Sequence, residues 1–189
     1  ELAHKAADAG ADGLACVCAG SGGHTGMLSP LAFISAVRRF YNGYIFAGGG
    51  IADGAGLLGA ISAGADIAYM GTRFITAQES MADEAHKRHV IEANISDLIV
   101  SAAITGAPAS WLKRSLVESG YDLEQLTQPG VRSYDSNSTG KKRWKEIFAA
   151  GQGVGDCSAV EPTADIIDRL EREYMAAAAR ASRFFAKTA

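Results

Sequence analysis

Three short apolar segments alternate with helical patterns near the start of the chain. Residues 13–18, 44–47 and 67–71 are apolar without the alternation of a half-exposed strand, which predicts strands buried on both faces. The first and third follow alanine-rich helical segments that end at Gly10 and Gly64, glycines suited to the left-handed position after a helix. The resulting order, helix then strand three times over, predicts a parallel sheet in an α/β fold.

Each predicted strand leads into glycine. The first is followed by Gly22-Gly23-His24, the second by Gly48-Gly49-Gly50 and the third by Gly71-Thr72. Parallel strands place the loops that follow them at one edge of the sheet, where α/β folds build their active sites. We therefore expect the three loops to converge on one site.

The pattern changes at Ser80, which resembles a helix start. We expect βα units over 1–79 and a mainly helical segment over 80–150 that carries an exposed polar loop at 127–143. Over 151–189 we expect a glycine loop and then a C-terminal helix that returns to the βα units. These boundaries predict a second, helical domain added to an α/β unit.

Composition and charge narrow the range of partners. The 189 residues are 48% apolar and 21% charged with a net charge of -3, so no broad basic field attracts nucleic acid or membrane. Neither an apolar run of membrane-helix length nor a signal peptide is present, and three cysteines are an odd number, so we expect a cytoplasmic protein without disulfides. Because the sequence starts at Glu1 inside a helical pattern, we also expect the start of the protein to be missing.

The second and third glycine loops have the character of a phosphate site. Glycine allows several backbone N–H groups to approach one phosphate, and the helix that follows each loop adds a favourable dipole. Gly48, Gly49, Gly50, Gly71 and Thr72 are the predicted ligands. The alternative is that the glycines only make tight turns and that an aspartate in the second loop only caps a helix. Neither loop has the spacing of a dinucleotide fingerprint or a P-loop.

The first loop carries a candidate catalytic residue. His24 lies just after an apolar strand between glycines, where an imidazole can act as a base toward a carbon acid or as a donor to an oxyanion. A purely structural histidine is the alternative. His86 and His89 stand at helical spacing with Lys87-Arg88 between them, which indicates a solvated face, and we expect no metal site.

Several motifs together resemble the nitronate monooxygenase family, formerly called 2-nitropropane dioxygenases. The similarity lies in the order and spacing of four glycine-rich or phosphate-loop motifs and one proline-containing segment. These are Gly22-Gly23-His24-Thr25-Gly26, Gly49-Gly50-Ile51-Ala52-Asp53-Gly54, Met70-Gly71-Thr72-Arg73-Phe74, Gly151-Gln152-Gly153-Val154-Gly155 and the segment 104–112. The resemblance covers nearly the whole chain.

This resemblance implies an FMN-dependent (β/α)8 barrel with a helical domain over the flavin, of which this chain would supply about the last three βα units. Gly49, Gly50, Gly71 and Thr72 would hold the FMN phosphate, Gly22 and Gly23 would border the flavin, and His24 would be the catalytic histidine. Family enzymes oxidise alkyl nitronates such as propionate 3-nitronate with O2, giving a carbonyl compound and nitrite or nitrate. The sequence does not fix the oligomeric state, for which a homodimer is one alternative.

The chain departs from the family pattern in two respects, and three competing functions share its loops. Tyr69 stands where many relatives carry glutamine, and three βα units are too few to close a barrel of eight. An FMN-dependent enoyl-acyl-carrier-protein reductase that uses NAD(P)H resembles the chain in the same loops. A non-catalytic flavin- or phosphate-binding module would also need such loops, and so would a flavin-free barrel that acts on a sugar or nucleotide phosphate.

Overall fold

The computed structural model describes residues 1–127 and 147–184 as a mixed α/β structure. Six strands lie in these ranges: β1 (Gly13–Val17), β2 (Gly23–His24), β3 (Tyr44–Gly48), β4 (Ile67–Ala68), β5 (Leu98–Ser101) and β6 (Ala109–Leu112). The α-helices in the same ranges are α1 (Leu2–Asp8), α2 (Pro30–Arg38), α3 (Gly54–Ser62), α4 (Thr72–Ile75), α5 (Glu84–Glu92), α6 (Lys113–Glu118), α7 (Leu123–Leu126) and α8 (Thr163–Ser182). Short 3₁₀ helices cover Ile95–Asp97 and Gln152–Asp156.

The predicted parallel sheet is confirmed. Its strand order is β1-β3-β4, with Cys16 beside Ala47 and Phe46 beside Ile67. The side chains that point inward form one apolar core with α2 and α3, in which Leu14, Cys16, Ile34, Val37, Ile45, Ala47 and Ala60 are buried. All three cysteines of the chain are buried and free. The prediction that these strands are buried on both faces is wrong for the described residues, because along β1 Leu14 and Cys16 are buried whereas Ala15 and Val17 are exposed. The sheet is covered on one face by α2 and α3, and its other face is apolar but exposed.

Two glycines end the helices that precede β1 and β4, as predicted. Gly10 has a φ of 81° and Gly64 a φ of 112°, and each follows the last residue of α1 or α3 by two positions. A side chain is strained at such angles, whereas glycine adopts them freely. These glycines turn the chain directly from a helix into the next strand.

A second sheet, which the sequence analysis did not predict, is antiparallel and has the order β2-β6-β5. β5 and β6 fall inside the segment 80–150, where α5, α6 and α7 also lie, so the expectation of a mainly helical segment missed a strand pair. Each of these strands has only four residues, too few to show a period, and β6 is buried along its whole length. Of the loop predicted at 127–143, Thr127 is exposed, and 128–143 lie outside the described residues.

The C-terminal helix packs tightly against the helix that follows β3. α8 buries Ile166 and Leu170, and a Cβ atom added at Gly54 in α3 would overlap the backbone of α8 at Glu173 and Tyr174. α8 therefore contacts a helix of the βα units directly. Within residues 1–127 and 147–184 no helix, α8 included, is long and apolar enough to cross a membrane.

Candidate active site

One cavity of about 440 Å³ opens at the ends of β1, β3 and β4. Its lining brings together all three predicted glycine loops and the first turn of α4. The lining residues are Val17, Gly20, Ser21, Gly22, Gly23, His24, Gly48, Gly49, Gly50, Ile51, Tyr69, Met70, Gly71, Thr72, Ile75, Ala149 and Gly153. Every site residue that the sequence analysis singled out thus lines the same cavity, although these residues are up to 50 positions apart in the chain.

The second loop is shaped by glycines that no other residue could replace without strain. Gly49 has a φ of 130° and Gly50 a φ of 66°. A Cβ atom at Gly49 would lie 2.9 Å from the carbonyl oxygen of Cys18 and 2.8 Å from that of Ala19, which come from the end of β1. The loop after β3 therefore lies directly against the loop after β1.

Backbone N–H donors are available in the loops after β3 and after β4. Among the residues that the structure describes, the N–H groups of Gly49, Gly71 and Thr72 donate to no acceptor. A Cβ atom at Gly71 would meet nothing within 4 Å, so the loop after β4 also borders open space. Free N–H groups beside an open cavity suit an anionic ligand such as a phosphate.

The sequence predicts that the dipole of the helix after the second loop favours a bound phosphate. The start of that helix, α3, is instead occupied by carboxylates of the protein. Asp53 caps the helix by accepting from the N–H of Gly56 at 2.7 Å, and Glu173 of α8 accepts from the N–H of Gly54 at 3.0 Å. The positive end of the α3 dipole therefore already interacts with two carboxylates of the protein. Burial, together with the charges of Asp53 and Glu173, raises the pKa of nearby Asp156. An anion in the cavity would depend on loop N–H groups and not on the α3 dipole.

Thr72 links the loop after β4 to a more distant segment. Its Oγ1 accepts from the N–H of Gly151 at 2.8 Å. The carbonyl oxygen of Gly20 accepts from the N–H groups of Gly50 (3.2 Å) and Gln152 (2.9 Å), which joins the same segment to the other two loops. The glycine-rich sequence at 151–155 is thus a structural part of the site, and its glycine spacing was the only sign of this in the sequence.

A buried arginine fixes the position of α4. Arg73, next to Thr72, is 3% exposed and pairs with Glu161 at 2.9 Å, and Glu161 also pairs with Arg169 of α8. The hydrogen bond from Arg73, helped by Arg169, keeps the pKa of Glu161 below its usual range. This three-residue ionic cluster ties the first turn of α4, which borders the cavity, to α8.

His24 occupies a strand of the second sheet instead of the loop in which the sequence placed it. In β2 it lies opposite Ala109 of β6, and the next residue, Thr25, donates its N–H to the carbonyl of Pro108 at 3.0 Å. Thr25 Oγ1 also donates to the carbonyl of Cys18 at 3.2 Å, at the end of β1. The exposed imidazole is therefore held between the parallel sheet and the second sheet, at the wall of the cavity.

Gly22, which precedes β2, is required by a close contact within the protein. A Cβ atom at Gly22 would lie 2.7 Å from the nitrogen of Gly151 and 2.8 Å from the carbonyl carbon of Ala150. Close contact between two backbone segments therefore explains Gly22, and approach of a flat ligand is not needed to explain it. Gly23 has a φ of 66°, which turns the chain into β2.

The histidines of α5 are not on a solvated face, contrary to the sequence prediction. His89 and Lys87 are 3% and 5% exposed, and His86 Nε2 lies 3.0 Å from the carbonyl of Ala149 with its ring stacked on Phe148 at 4.6 Å. Burial lowers the pKa of both histidines. In the described part of the chain no three His, Cys, Asp or Glu side chains are grouped so that they could hold a metal ion.

Apolar side chains of the cavity were mostly missed in the sequence because no motif marks them. Tyr69 is 66% exposed, and its ring lies beside Gly48, where a Cβ atom would be 3.2 Å from Cδ1. Met70 and Ile75 continue this side of the wall. The cavity thus combines N–H donors with an apolar surface, and its volume lies in the roughly 300–1,000 Å³ range of ligand sites, which fits a planar ligand that carries a phosphate.

Parallel βα units whose loops share one cavity are typical of an α/β protein, and three of them form part of a (β/α)8 barrel. Solved structures support this assignment. FabK from Thermotoga maritima is 28% identical and superposes with a TM-score of 0.76 over 97% of this chain and 60% of its own. Nitroalkane oxidase from Streptomyces ansochromogenes is 26% identical, with a TM-score of 0.72 over 95% of this chain and 56% of its own.

The sequence comparisons identify the family. The family model "Nitronate monooxygenase" matches residues 1–173, and the chain belongs to this family. A nitronate monooxygenase of Paraburkholderia phytofirmans is 30% identical, with 87% of this chain and 50% of that protein covered. A 5-hydroxy-7a-methyl-1-oxo-octahydro-1H-indene-4-carboxyl-CoA dehydrogenase of Rhodococcus jostii is 34% identical over 62% of this chain and 33% of its own length. The chain therefore spans half or less of these two relatives.

Proposed function

We propose that this chain is part of a flavin-dependent oxidoreductase that binds FMN and oxidises alkyl nitronates of the propionate 3-nitronate type with O2. The products would be a carbonyl compound and nitrite or nitrate. One observation carries the proposal: a single cavity joins the free N–H groups of two glycine loops to the imidazole of His24. Family membership supports the same reaction class.

The glycine loops would hold the phosphate end of FMN. The N–H groups of Gly49, Gly71 and Thr72 point to no other acceptor in the described residues. Because Thr72 Oγ1 already accepts from Gly151, its own proton is available to a phosphate oxygen. Gly48 and Gly50 complete the loop that keeps these donors in place, and Gly22 and Gly23 shape the opposite wall. The bound flavin would supply the redox chemistry.

His24 would act on the substrate. A nitronate is an anion, which the imidazole can bind and orient by donating a hydrogen bond. Where a neutral nitroalkane is accepted, the same imidazole would take the proton from the α-carbon. Its exposed position at the cavity wall leaves space for a small substrate.

Expectations about location, partners, assembly and domains belong to this proposal. The enzyme would be cytoplasmic, would act on a small-molecule nitronate with O2 as co-substrate, and would have no nucleic-acid or membrane partner, as its net charge of -3 favours. It would form a homodimer, which light scattering of the purified protein would measure. We also propose that 1–79, 80–150 and 151–189 act as the α/β unit, the added domain and the returning segment.

A second candidate is an FMN-dependent enoyl-acyl-carrier-protein reductase that uses NAD(P)H. The observation in its favour is the superposition with FabK, which has a TM-score of 0.76 over 97% of this chain. The two candidates share the phosphate loops and differ in the source of electrons. Reduction by NAD(P)H is therefore the property that separates them.

The test is the visible spectrum of the purified full-length protein, followed by anaerobic addition of propionate 3-nitronate and, in a separate sample, of NADH. We expect a flavin spectrum that changes with the nitronate and not with NADH. Bleaching by NADH alone would transfer the assignment to the reductase. A colourless protein that does not take up added FMN would exclude both candidates.

A further inference from the structure

The segment Phe148–Gly151 connects parts of the site that are distant in sequence. We call it the 148–151 segment. The N–H of Leu112 donates to the carbonyl of Phe148 at 2.9 Å, and Trp111 and Ala149 form an antiparallel bridge, so the segment runs beside β6. Ala149 lines the cavity, and Gly151 donates to Thr72 Oγ1. The segment therefore extends from β6 to the predicted phosphate loop.

β6 has two successive partners along this side. Its residues Ala109 and Ser110 pair with His24 and Gly23 of β2, and its residues Trp111 and Leu112 pair with the 148–151 segment. Ser110 is thus the position at which one partner gives way to the other. A shift of the 148–151 segment would therefore directly disturb its neighbour β2, the strand that carries His24.

Ser110 contacts both partners, β2 through its main-chain pairing with Gly23 and the 148–151 segment through its side chain. Ser110 is 3% exposed, and its Oγ donates to the carbonyl of Ala150 at 2.8 Å, while Ala150 itself is 1% exposed. On the other side of this peptide, Gly22 lies so close to Ala150 and Gly151 that it has no room for a Cβ atom. A buried hydrogen bond at such a tight junction has few alternative partners, because water has little access to it.

We propose that Ser110 is a positioning residue that keeps the 148–151 segment in register with β2 and so couples the phosphate end of the cavity to His24. The coupling runs from His24 and Gly23 through Ser110 to Ala150, and from Gly151 to Thr72 Oγ1. Its effect on catalysis rests on the proposed function, whereas its effect on the two backbone segments does not.

The experiment compares Ser110→Ala with Ser101→Ala in the full-length protein. Ser101 is a matched control because it is also a buried strand serine (4% exposed) whose Oγ donates to a main-chain carbonyl, that of Leu126 at 2.6 Å. Amide hydrogen exchange without ligand is measured over 22–25 and 148–152. We expect Ser110→Ala to accelerate exchange roughly tenfold in both segments and Ser101→Ala in neither.

The same variants are then titrated with FMN by flavin fluorescence and assayed with propionate 3-nitronate. We expect Ser110→Ala to raise the Kd for FMN about tenfold and to lower kcat/KM, Ser101→Ala to change neither more than about twofold, and Ser110→Thr to restore both values. Unchanged exchange in either segment of Ser110→Ala, or equal acceleration in Ser101→Ala, would overturn the proposal. If the unsubstituted protein fails to bind FMN or to oxidise the nitronate, the proposed function fails, and the exchange result alone decides the role of Ser110.

Discussion

Individual residues at the cavity do different work, although several are the same amino acid. Gly49 is required by its φ of 130° and by the carbonyls of the two residues just after β1, while Gly71 has a φ of -103° and open space where a Cβ atom would stand. Gly22 is required by the backbone of Ala150 and Gly151. Some glycines of these motifs therefore permit a close approach or a special backbone angle. Others only border open space.

The contrast between Gly49 and Gly71 predicts different costs for the same substitution. We expect Gly49→Ala to lower the free energy of unfolding by about 2–3 kcal/mol, because it adds backbone strain and a contact below 3 Å. Gly71→Ala should change it by less than about 0.5 kcal/mol. Urea unfolding of both variants measures this, and equal costs would contradict the loop geometry described above.

His24 is the residue on which the proposed chemistry depends most. If it binds or deprotonates the substrate, His24→Ala should lower kcat/KM for the nitronate by about 10²- to 10⁴-fold while FMN stays bound, which the flavin spectrum reports. His4→Ala is the control, because His4 is exposed on α1 and stacks on Phe40 at 3.6 Å, apart from the residues of the cavity wall. Full activity of His24→Ala would leave this histidine a structural role only.

At the scale of elements, the pairing of α3 with α8 holds the loop after β3. Gly54 permits the two helices to touch backbone to backbone, and Glu173 of α8 accepts from its N–H at 3.0 Å. The cluster of Arg73, Glu161 and Arg169 makes a similar link between α4 and α8. α8 thus supports both predicted phosphate loops from behind.

Two glycines of α3 offer a test of this packing within one helix. Gly54→Ala should destabilise the protein by about 3 kcal/mol or more, because its Cβ would overlap the α8 backbone. Gly59→Ala should stabilise it by about 0.5–1 kcal/mol, since nothing lies within 4 Å of the added atom and alanine is the better helix former. Thermal unfolding of both variants decides this, and a neutral Gly54→Ala would refute the close contact.

For the molecule as a whole, the half-buried His86 and the buried His89 of α5 make stability depend on pH. Burial lowers the pKa of His86 and of His89 below the ordinary value of 6.5, although Glu118 at 3.1 Å opposes this for His89. Below pH 6.5 the unfolded chain therefore takes up protons that the folded chain does not. The stability contributed by these groups is present above pH 6.5 and is lost as the pH falls toward their lowered values.

We expect the free energy of unfolding in urea to fall between pH 7.5 and pH 5.5. The double variant His86→Gln/His89→Gln should show a flatter dependence over this range, while His4→Gln, which alters an exposed histidine, should keep the slope of the unsubstituted protein. A slope that the double variant leaves unchanged would assign the pH dependence to other groups.

Much of the α/β unit can be predicted from the sequence because it depends on local properties. Uniformly apolar strands, the helix-ending Gly10 and Gly64, and glycine after each strand are readable one segment at a time. The convergence of the loops follows from the parallel order alone. The glycine loops, His24 and Thr72 of the candidate site can therefore be predicted from the sequence.

Only the tertiary structure decided how that site is supported. The antiparallel pair of β5 and β6, the placement of His24 in β2 and the burial of His89 depend on contacts between segments that show no period of their own. The capping of α3 by Glu173 joins residues 119 positions apart. Such contacts depend on the packing of the whole chain and not on the properties of a short window. The sequence therefore determined that the glycine loops and His24 meet at the cavity, and the fold decided which apolar side chains join them and what holds them there.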